Sequence, residues 1–278
     1  MKPTLFLFVL VAAIYLAACL PAAPSHPGQA SGQPMRLTPA QAFLASLDEG
    51  QRAKVLHPFA DSARVQCHFV PWSMYPREGL PLDEMNQAQQ EAAFALLRDY
   101  LSQAGYDKTR QVMSLEEVLA DIENDTHRRD PEKYYVAFFG QPGQDSVWGW
   151  TFEGHHVSVH FTQVGDQVAM TPRFLGANPG EVPSGPRQGE RVLGEEEDLG
   201  LALLHALDDD QRAQAIFRKE AYPEVVTFHD SHVEPMYAVG LAMIGMTAPQ
   251  QQMLSQLIQL YLDQVPPEHA AQRLKQLK

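Results

Sequence analysis

The chain has 278 residues, 45% of them apolar and 20% charged, and its 21 Lys and Arg are outnumbered by 34 Asp and Glu, giving a net charge of -13. That supplies the core of one large domain or two small ones, and it excludes the clustered cationic surface of a nucleic-acid binder. The 2 Cys exclude a disulfide framework or a Cys-rich zinc module.

Lys2 precedes an apolar run from Leu5 to Ala18. The run is shorter than the roughly 20 residues of a spanning helix, so residues 1–18 read as a signal peptide. It ends Leu16-Ala17-Ala18-Cys19, which resembles a bacterial lipobox and implies acylation of the Cys19 thiol. Residues 19–36, rich in Pro, Ala, Ser and Gly, lack apolar periodicity and read as the lipidated Cys and a flexible tether. The expected location is the cell envelope, outside the cytoplasm, with the membrane reached through lipidated Cys19 on a bacterial membrane. With Cys19 acylated, Cys67 is the one remaining thiol, and its expected role is that of a small buried apolar residue.

Residues 37–278 are expected to form a single α+β domain in which duplicated helical units pack around a small antiparallel β-sheet. Its parts are a helical region over 37–130, a β meander over 131–171, a loop over 172–194 and a helical region over 195–278. Thr38-Pro39 opens a helix that runs through Phe43, Leu44, Leu47 and Val55. A longer helix spans Asn86 to Ala104 with Gly105 as its stop, and Ser114-Leu115-Glu116-Glu117 opens a third that ends near Thr126. The period then shortens to that of strands over Lys133 to Gly140, Val147 to Phe152, His155 to Phe161 and Gln167 to Thr171. Pro172 to Gly194 is too rich in Pro and Gly for regular structure, and helices resume over Glu195 to Leu207, Asp209 to Lys219, Pro249 to Gln264 and Glu268 to Leu277. The two helical regions echo one another. Leu47-Asp48 and Gln51-Arg52-Ala53 recur as Leu207-Asp208 and Gln211-Arg212-Ala213. Gly79-Leu80, Met85, Gln89-Gln90, Leu96 and Tyr100-Leu101 recur as Gly240-Leu241, Met246, Gln250-Gln251, Leu257 and Tyr261-Leu262.

The densest polar cluster runs from Glu153 through His155 and His156 to Ser158 and His160. On an unbroken strand His156, Ser158 and His160 share one face with Trp148 and Trp150, while Glu153 and His155 share the other. His156 and His160 then stand roughly 13 Å apart, so a metal site takes one or two of these His plus ligands from elsewhere. The plain alternative is a solvated sheet face of hydrogen-bonded imidazoles. Trp148 and Trp150 read as sheet core or as an aromatic wall beside a pocket. Arg64 and Arg77, bracketing a Pro-rich turn, are candidate anion contacts or partners of the plentiful acidic groups. Arg173 and Asn178 are further candidate ligand contacts, Asn178 also being suited to local hydrogen bonding. Nucleophile-elbow, P-loop, Rossmann and EF-hand patterns do not occur.

The blocks Trp148-Gly149-Trp150-Thr151-Phe152-Glu153-Gly154-His155-His156, Pro172-Arg173-Phe174-Leu175-Gly176-Ala177-Asn178-Pro179 and Gly189-Glu190-Arg191-Val192-Leu193 carry a resemblance. With Arg64, Arg77-Glu78-Gly79-Leu80 and Leu101-Ser102-Gln103-Ala104-Gly105-Tyr106, they make the chain from about Pro39 to Leu262 resemble the bacterial domain-of-unknown-function family 3500. The resemblance implies no particular reaction. His160 stands where that family's pattern often carries Asn, which weakens it as an essential ligand. Longer members continue into a Tyr-rich, His-containing segment, whereas this sequence stops at Lys278.

Three functional readings follow. In a metal-assisted hydrolase-like enzyme, His155 and His156 bind a divalent ion such as zinc and Glu153 acts as base. In a non-catalytic binding lipoprotein, the same His, Trp and Arg residues hold a metal ion or a small acidic solute. The third reading is an assembly lipoprotein without a small-molecule site.

Overall fold

Thr38 accepts from the Gln41 N–H and receives the Gln41 side chain in return, and with Pro39 in the first turn this capping box starts α1 (Pro39–Ser46). The computed structural model describes residues 37–230, 232–234 and 237–277, so Cys19 and the segments expected to be a signal peptide and a tether lie outside the described residues. One helix through Val55 is expected. Instead Asp48 builds a second capping box with Gln51 and divides the run, so that α2 (Glu49–Val55) starts afresh. The two-residue β1 (Leu56–His57) follows, then a segment over 58–79 that is irregular apart from a 3-10 turn at Ser62–Val65, and β2 (Leu80–Pro81).

The next helices also differ from expectation. Asn86 caps α3 (Gln87–Tyr100), and Ser102 interrupts the run by accepting from the Gly105 N–H, which starts α4 (Gln103–Glu123). Gly105 is therefore a first-turn residue, not a stop. A Cβ there would collide with the Gln264 carbonyl, so the position needs glycine for close packing. Ser114 lies inside α4, its hydroxyl bonded back to the Gln111 carbonyl, and the helix ends at Asn124 in the left-handed region.

Among the described residues the sheet has seven strands. β3 (Tyr135–Phe139), β4 (Val147–Gly154), β5 (Val157–Val164) and β6 (Gln167–Ala169) form the antiparallel meander, while β1 and β2 share the outer edge of β3, β1 running parallel to it. The segment expected to be an unstructured loop contributes β7 (Arg173–Leu175), which pairs with β5. Val136, Phe138, Trp148, Trp150, Phe152, Val159 and Phe161 alternate onto one face and pack against Phe43, Leu96, Leu97 and Tyr100 of α1 and α3. Trp150 stacks on Phe161 at 4.5 Å and meets Tyr100 edge-on at 5.2 Å.

The second helical region comprises α5 (Gly194–Ala206), α6 (Asp209–Ala215), α7 (Ala248–Leu262) and α8 (Pro267–Gln276). It repeats the first in its hydrogen bonds as well as in its residues. Gln51 Nε2 donates to the Glu84 carbonyl at 2.8 Å and Gln89 Nε2 to the Ser46 carbonyl at 2.9 Å, and the two amides bond to one another at 2.7 Å. At the equivalent positions Gln211 donates to Gly245 at 2.8 Å, Gln250 to Ala206 at 2.7 Å, and Gln250 to Gln211 at 2.8 Å. Two glutamines, half-buried Gln51 with buried Gln89 in the first unit and buried Gln211 with buried Gln250 in the second, thus tie the short helix to the long one and satisfy carbonyls that would otherwise be stranded. Among the described residues no helix is long and apolar enough to cross a membrane.

Candidate functional site

The cluster expected on one strand is folded over. Gly154 and Val157 close the β4–β5 hairpin, which leaves His155 and His156 as its two-residue turn. His156 has φ 58, a left-handed conformation usually left to Gly or Asn in hairpin turns. Neighbouring elements hold it there. The His156 N–H donates to the Phe69 carbonyl at 2.8 Å, the Gly176 N–H to the His156 carbonyl at 2.9 Å, and the Tyr134 hydroxyl to the His155 carbonyl at 2.9 Å. A strained residue persists where its surroundings over-determine it, and such residues cluster at functional positions.

The turn reverses the expected faces. Glu153 stands directly opposite Ser158 and on the same face as His160, whereas Trp148 and Trp150 point into the helix-covered core. Both Trp are therefore packing residues, and the aromatic wall expected beside His156 and His160 is not formed there.

At the hairpin tip, His155 Nδ1 donates to the carboxylate of Glu116, a buried residue of α4. Arg129, itself buried and paired with Glu123 at 2.7 and 2.8 Å, brings Nη1 to 3.4 Å from the same imidazole. The His155 and His156 rings lie 4.2 Å apart. His156 Nδ1 is buried without a hydrogen-bond partner. Burial first, then the neighbouring His155 and Arg129, push the His156 pKa down to about 4. The ring is thus neutral at pH 7, with an uncommitted nitrogen beside a second imidazole backed by a carboxylate. Metal-binding histidines are commonly oriented by such a carboxylate.

Glu153 belongs to a separate network, beneath the segment over 58–79. Its Oε1 accepts from the Ser158 hydroxyl at 2.6 Å and from His160 Nε2 at 3.1 Å, while His160 Nδ1 donates to the Arg64 carbonyl at 2.9 Å. Both ring nitrogens face acceptors, so His160 is an imidazolium. Burial opposes that charge, but the Cys67 sulfur, the Glu153 carboxylate and the Arg64 carbonyl raise its pKa to about 10. Burial also opposes ionisation of Glu153, yet His160, Ser158 and Arg77 together hold its pKa below the ordinary value. Ser158 and Glu153 meet the same imidazole nitrogen, which is not the relay of a nucleophilic triad. Buried and committed, Glu153 is not placed to activate water at the hairpin tip.

Of the remaining predicted residues, Arg77 reaches the hairpin through the Gly154 carbonyl and not through the imidazoles. Arg64 spreads over the Phe59 ring at 4.3 Å and donates to the Phe59 carbonyl. Arg77 donates to the carbonyls of Tyr75, His68, Val70 and Gly154, which stitches the 58–79 segment to β4, and burial lowers its pKa. Arg173 donates to the Tyr261 carbonyl and is likewise lowered by burial. Asn178 precedes a cis proline beyond β7. Its neighbours Ala177 and Gly180 line a hollow of about 320 Å³ with Glu196, Glu197 and Tyr261, and neither this hollow nor one of about 380 Å³ near Thr38 includes the two imidazoles.

Sequence reasoning missed Glu116 and Arg129. Glu116 carried a signal, because it interrupts the apolar stripe of Val112, Leu115 and Leu119 on α4, where an unpaired charge is costly. Arg129 carried none. Among the described residues no group of three or more His, Cys, Asp or Glu side chains is arranged to hold a metal ion.

The mixed sheet and the helix unit duplicated around it define an α+β protein, with a pinned di-histidine turn at one hairpin. The chain belongs to the family described as Protein of unknown function (DUF3500), whose model matches residues 31–278. No curated protein and no solved structure matches it.

Proposed function

We propose that this chain is a lipid-anchored protein of the cell envelope that binds a metal ion at the His155–His156 turn without hydrolysing a substrate there. One observation carries the reading: a neutral imidazole, His156, is held in a left-handed turn with its buried Nδ1 unpartnered, beside His155 backed by Glu116. Imidazole nitrogens suit zinc, copper and nickel. Two protein ligands leave open positions for water or for a carboxylate of a bound solute. The hydrolase reading loses support because Glu153, its proposed base, is buried against Ser158 and His160. A small acidic solute alone is a second reading, favoured by the Arg129 guanidinium beside both rings. The anchor rests on Cys19 and the apolar run before it.

Elemental analysis of the full chain, purified without chelator or affinity tag and dialysed against zinc or copper, tests the metal reading. One ion per chain is expected, with loss in His155→Ala and in His156→Gly. The glycine variant removes the ring but keeps the turn. A folded wild-type chain that retains neither metal sinks the proposal, and saturable binding of acetate or phosphate by that metal-free chain would install the second reading.

A further inference from the structure

The duplicated units differ in what covers them. In the first unit β1 and β2 lie along one edge of β3, pairing Leu56 with Phe138 and Leu80 with Val136. The equivalent stretches of the second unit are Ile216–Phe217 after α6 and Leu241–Ala242 before α7, and among the described residues no strand pairs with either. The helix face changes accordingly. Ala93, Leu96 and Leu97 of α3 are buried under the sheet, while their counterparts Leu254, Leu257 and Ile258 on α7 are half-buried. Tyr100 is 8% exposed and its counterpart Tyr261 is 49%. Ile216 and Phe217 are 46% and 55% exposed.

A pair of glycines supplies an independent sign. Gly79 has φ +102, and a Cβ there would collide with the Val136 carbonyl of β3, so glycine is what lets the strand approach. Its counterpart Gly240 has φ +88, but a Cβ there would meet nothing nearer than Ala215 and Phe217 at 4.0 Å. The second unit keeps the conformation that admits a strand and lacks the strand. Its charge says what kind of chain fits. Residues 194–264 hold 12 acidic and 3 basic side chains, so although Arg218 and Lys219 adjoin Phe217, the net field of the unit repels a second copy and attracts a basic partner.

We propose that the second unit is a docking surface for an extended β-strand from another polypeptide, with alternating apolar side chains and flanking Lys or Arg. The strand takes the place that β3 takes in the first unit. Main-chain bonds to 216–217 and 241–242 supply affinity, and its apolar side chains cover α7.

The probe is a fluorescein-labelled peptide with the sequence of residues 133–140, extended by two lysines at each end and titrated into the full chain held in lipid nanodiscs. Saturable binding is expected, with slowed amide exchange at Phe217 and Leu241. Binding should fall at least tenfold when proline replaces the peptide's central valine, when glutamates replace its lysines, and in the Phe217→Asp variant. Phe217 is exposed, so near-ultraviolet circular dichroism of that variant should match wild type. Absence of saturable binding to the folded chain overturns the proposal, as does equal binding of the proline peptide. A micromolar dimer in sedimentation that Phe217→Asp dissolves would assign the face to a second copy and also overturn it.

Discussion

Replacing Glu153 by Gln tests the buried network most directly. The substitution keeps side-chain shape and removes the anion, leaving the His160 imidazolium with the Arg64 carbonyl on one nitrogen and no counter-charge on the other. Breaking a buried ion pair from one side costs about 3–5 kcal/mol, against a total of about 5–15 kcal/mol for a typical domain. Urea titration at pH 7, followed by Trp fluorescence, should show a loss of that size for Glu153→Gln. The Glu153→Gln/His160→Gln double variant should lose less than the sum of the two single variants. The pH dependence is asymmetric. His160, raised from 6.5 to about 10 by folding, contributes fully below pH 6.5, and its contribution is lost as pH rises through about 10. Glu153, lowered by folding, contributes above its ordinary value of 4.5 and is lost as pH falls through its depressed folded value. The pair's contribution is therefore complete between pH 4.5 and 6.5, and Glu153→Gln should flatten the alkaline decline. A single-variant cost under about 1 kcal/mol, or additive single costs, would refute the ion pair.

Other substitutions separate the remaining claims. Gly79→Ala forces a side chain into the Val136 carbonyl and should cost several times more in urea titration than Gly240→Ala, which makes ordinary contacts at 4.0 Å and suffers the strain of its positive φ, about 1 kcal/mol. Phe43→Ala empties a fully buried position stacked 6.0 Å from Phe138 and should cost about 3–5 kcal/mol by the same titration. Cys19→Ser should move the protein from the membrane to the soluble fraction of the envelope and abolish incorporation of a labelled fatty acid. Retention on the membrane would remove the anchor reading.

The α+β class was legible because the period changed from helix-like to strand-like at Lys133, and the duplication because capping residues and glutamines recurred in order. Those glutamines reached the sequence pattern because a capping box needs Gln or Glu at its third position, and the same side chain then bridges two helices. Helix boundaries were less legible. Ser102 and Asp48 start new helices within apolar stripes that continue on either side, and periodicity alone does not distinguish one broken helix from two. β7 was hidden for a similar reason, since three residues flanked by Pro and Gly carry no measurable alternation.

The hairpin turn was the least legible feature, and it decides the chemistry. Hairpin turns are read from Gly, Asn or Asp, and His155–His156 has none of them, so the run from Glu153 to His160 reads as one strand with one polar face. Folding it at His155 sends the imidazoles of the turn toward Glu116 and Arg129, while Glu153 and His160 close on each other beneath the 58–79 segment. What looks like one motif is then two devices with separable effects. Glycine suits the left-handed backbone of residue 156, so His156→Gly should melt at or above the wild-type temperature, by up to about 1 kcal/mol of added stability, yet fail to retain metal. Glu153→Gln should show the reverse, with stability lowered and metal uptake unchanged at a temperature where it remains folded. If Glu153→Gln lost metal as completely as His156→Gly while both stayed folded, the two clusters would form one site, and a catalytic role for Glu153 would return.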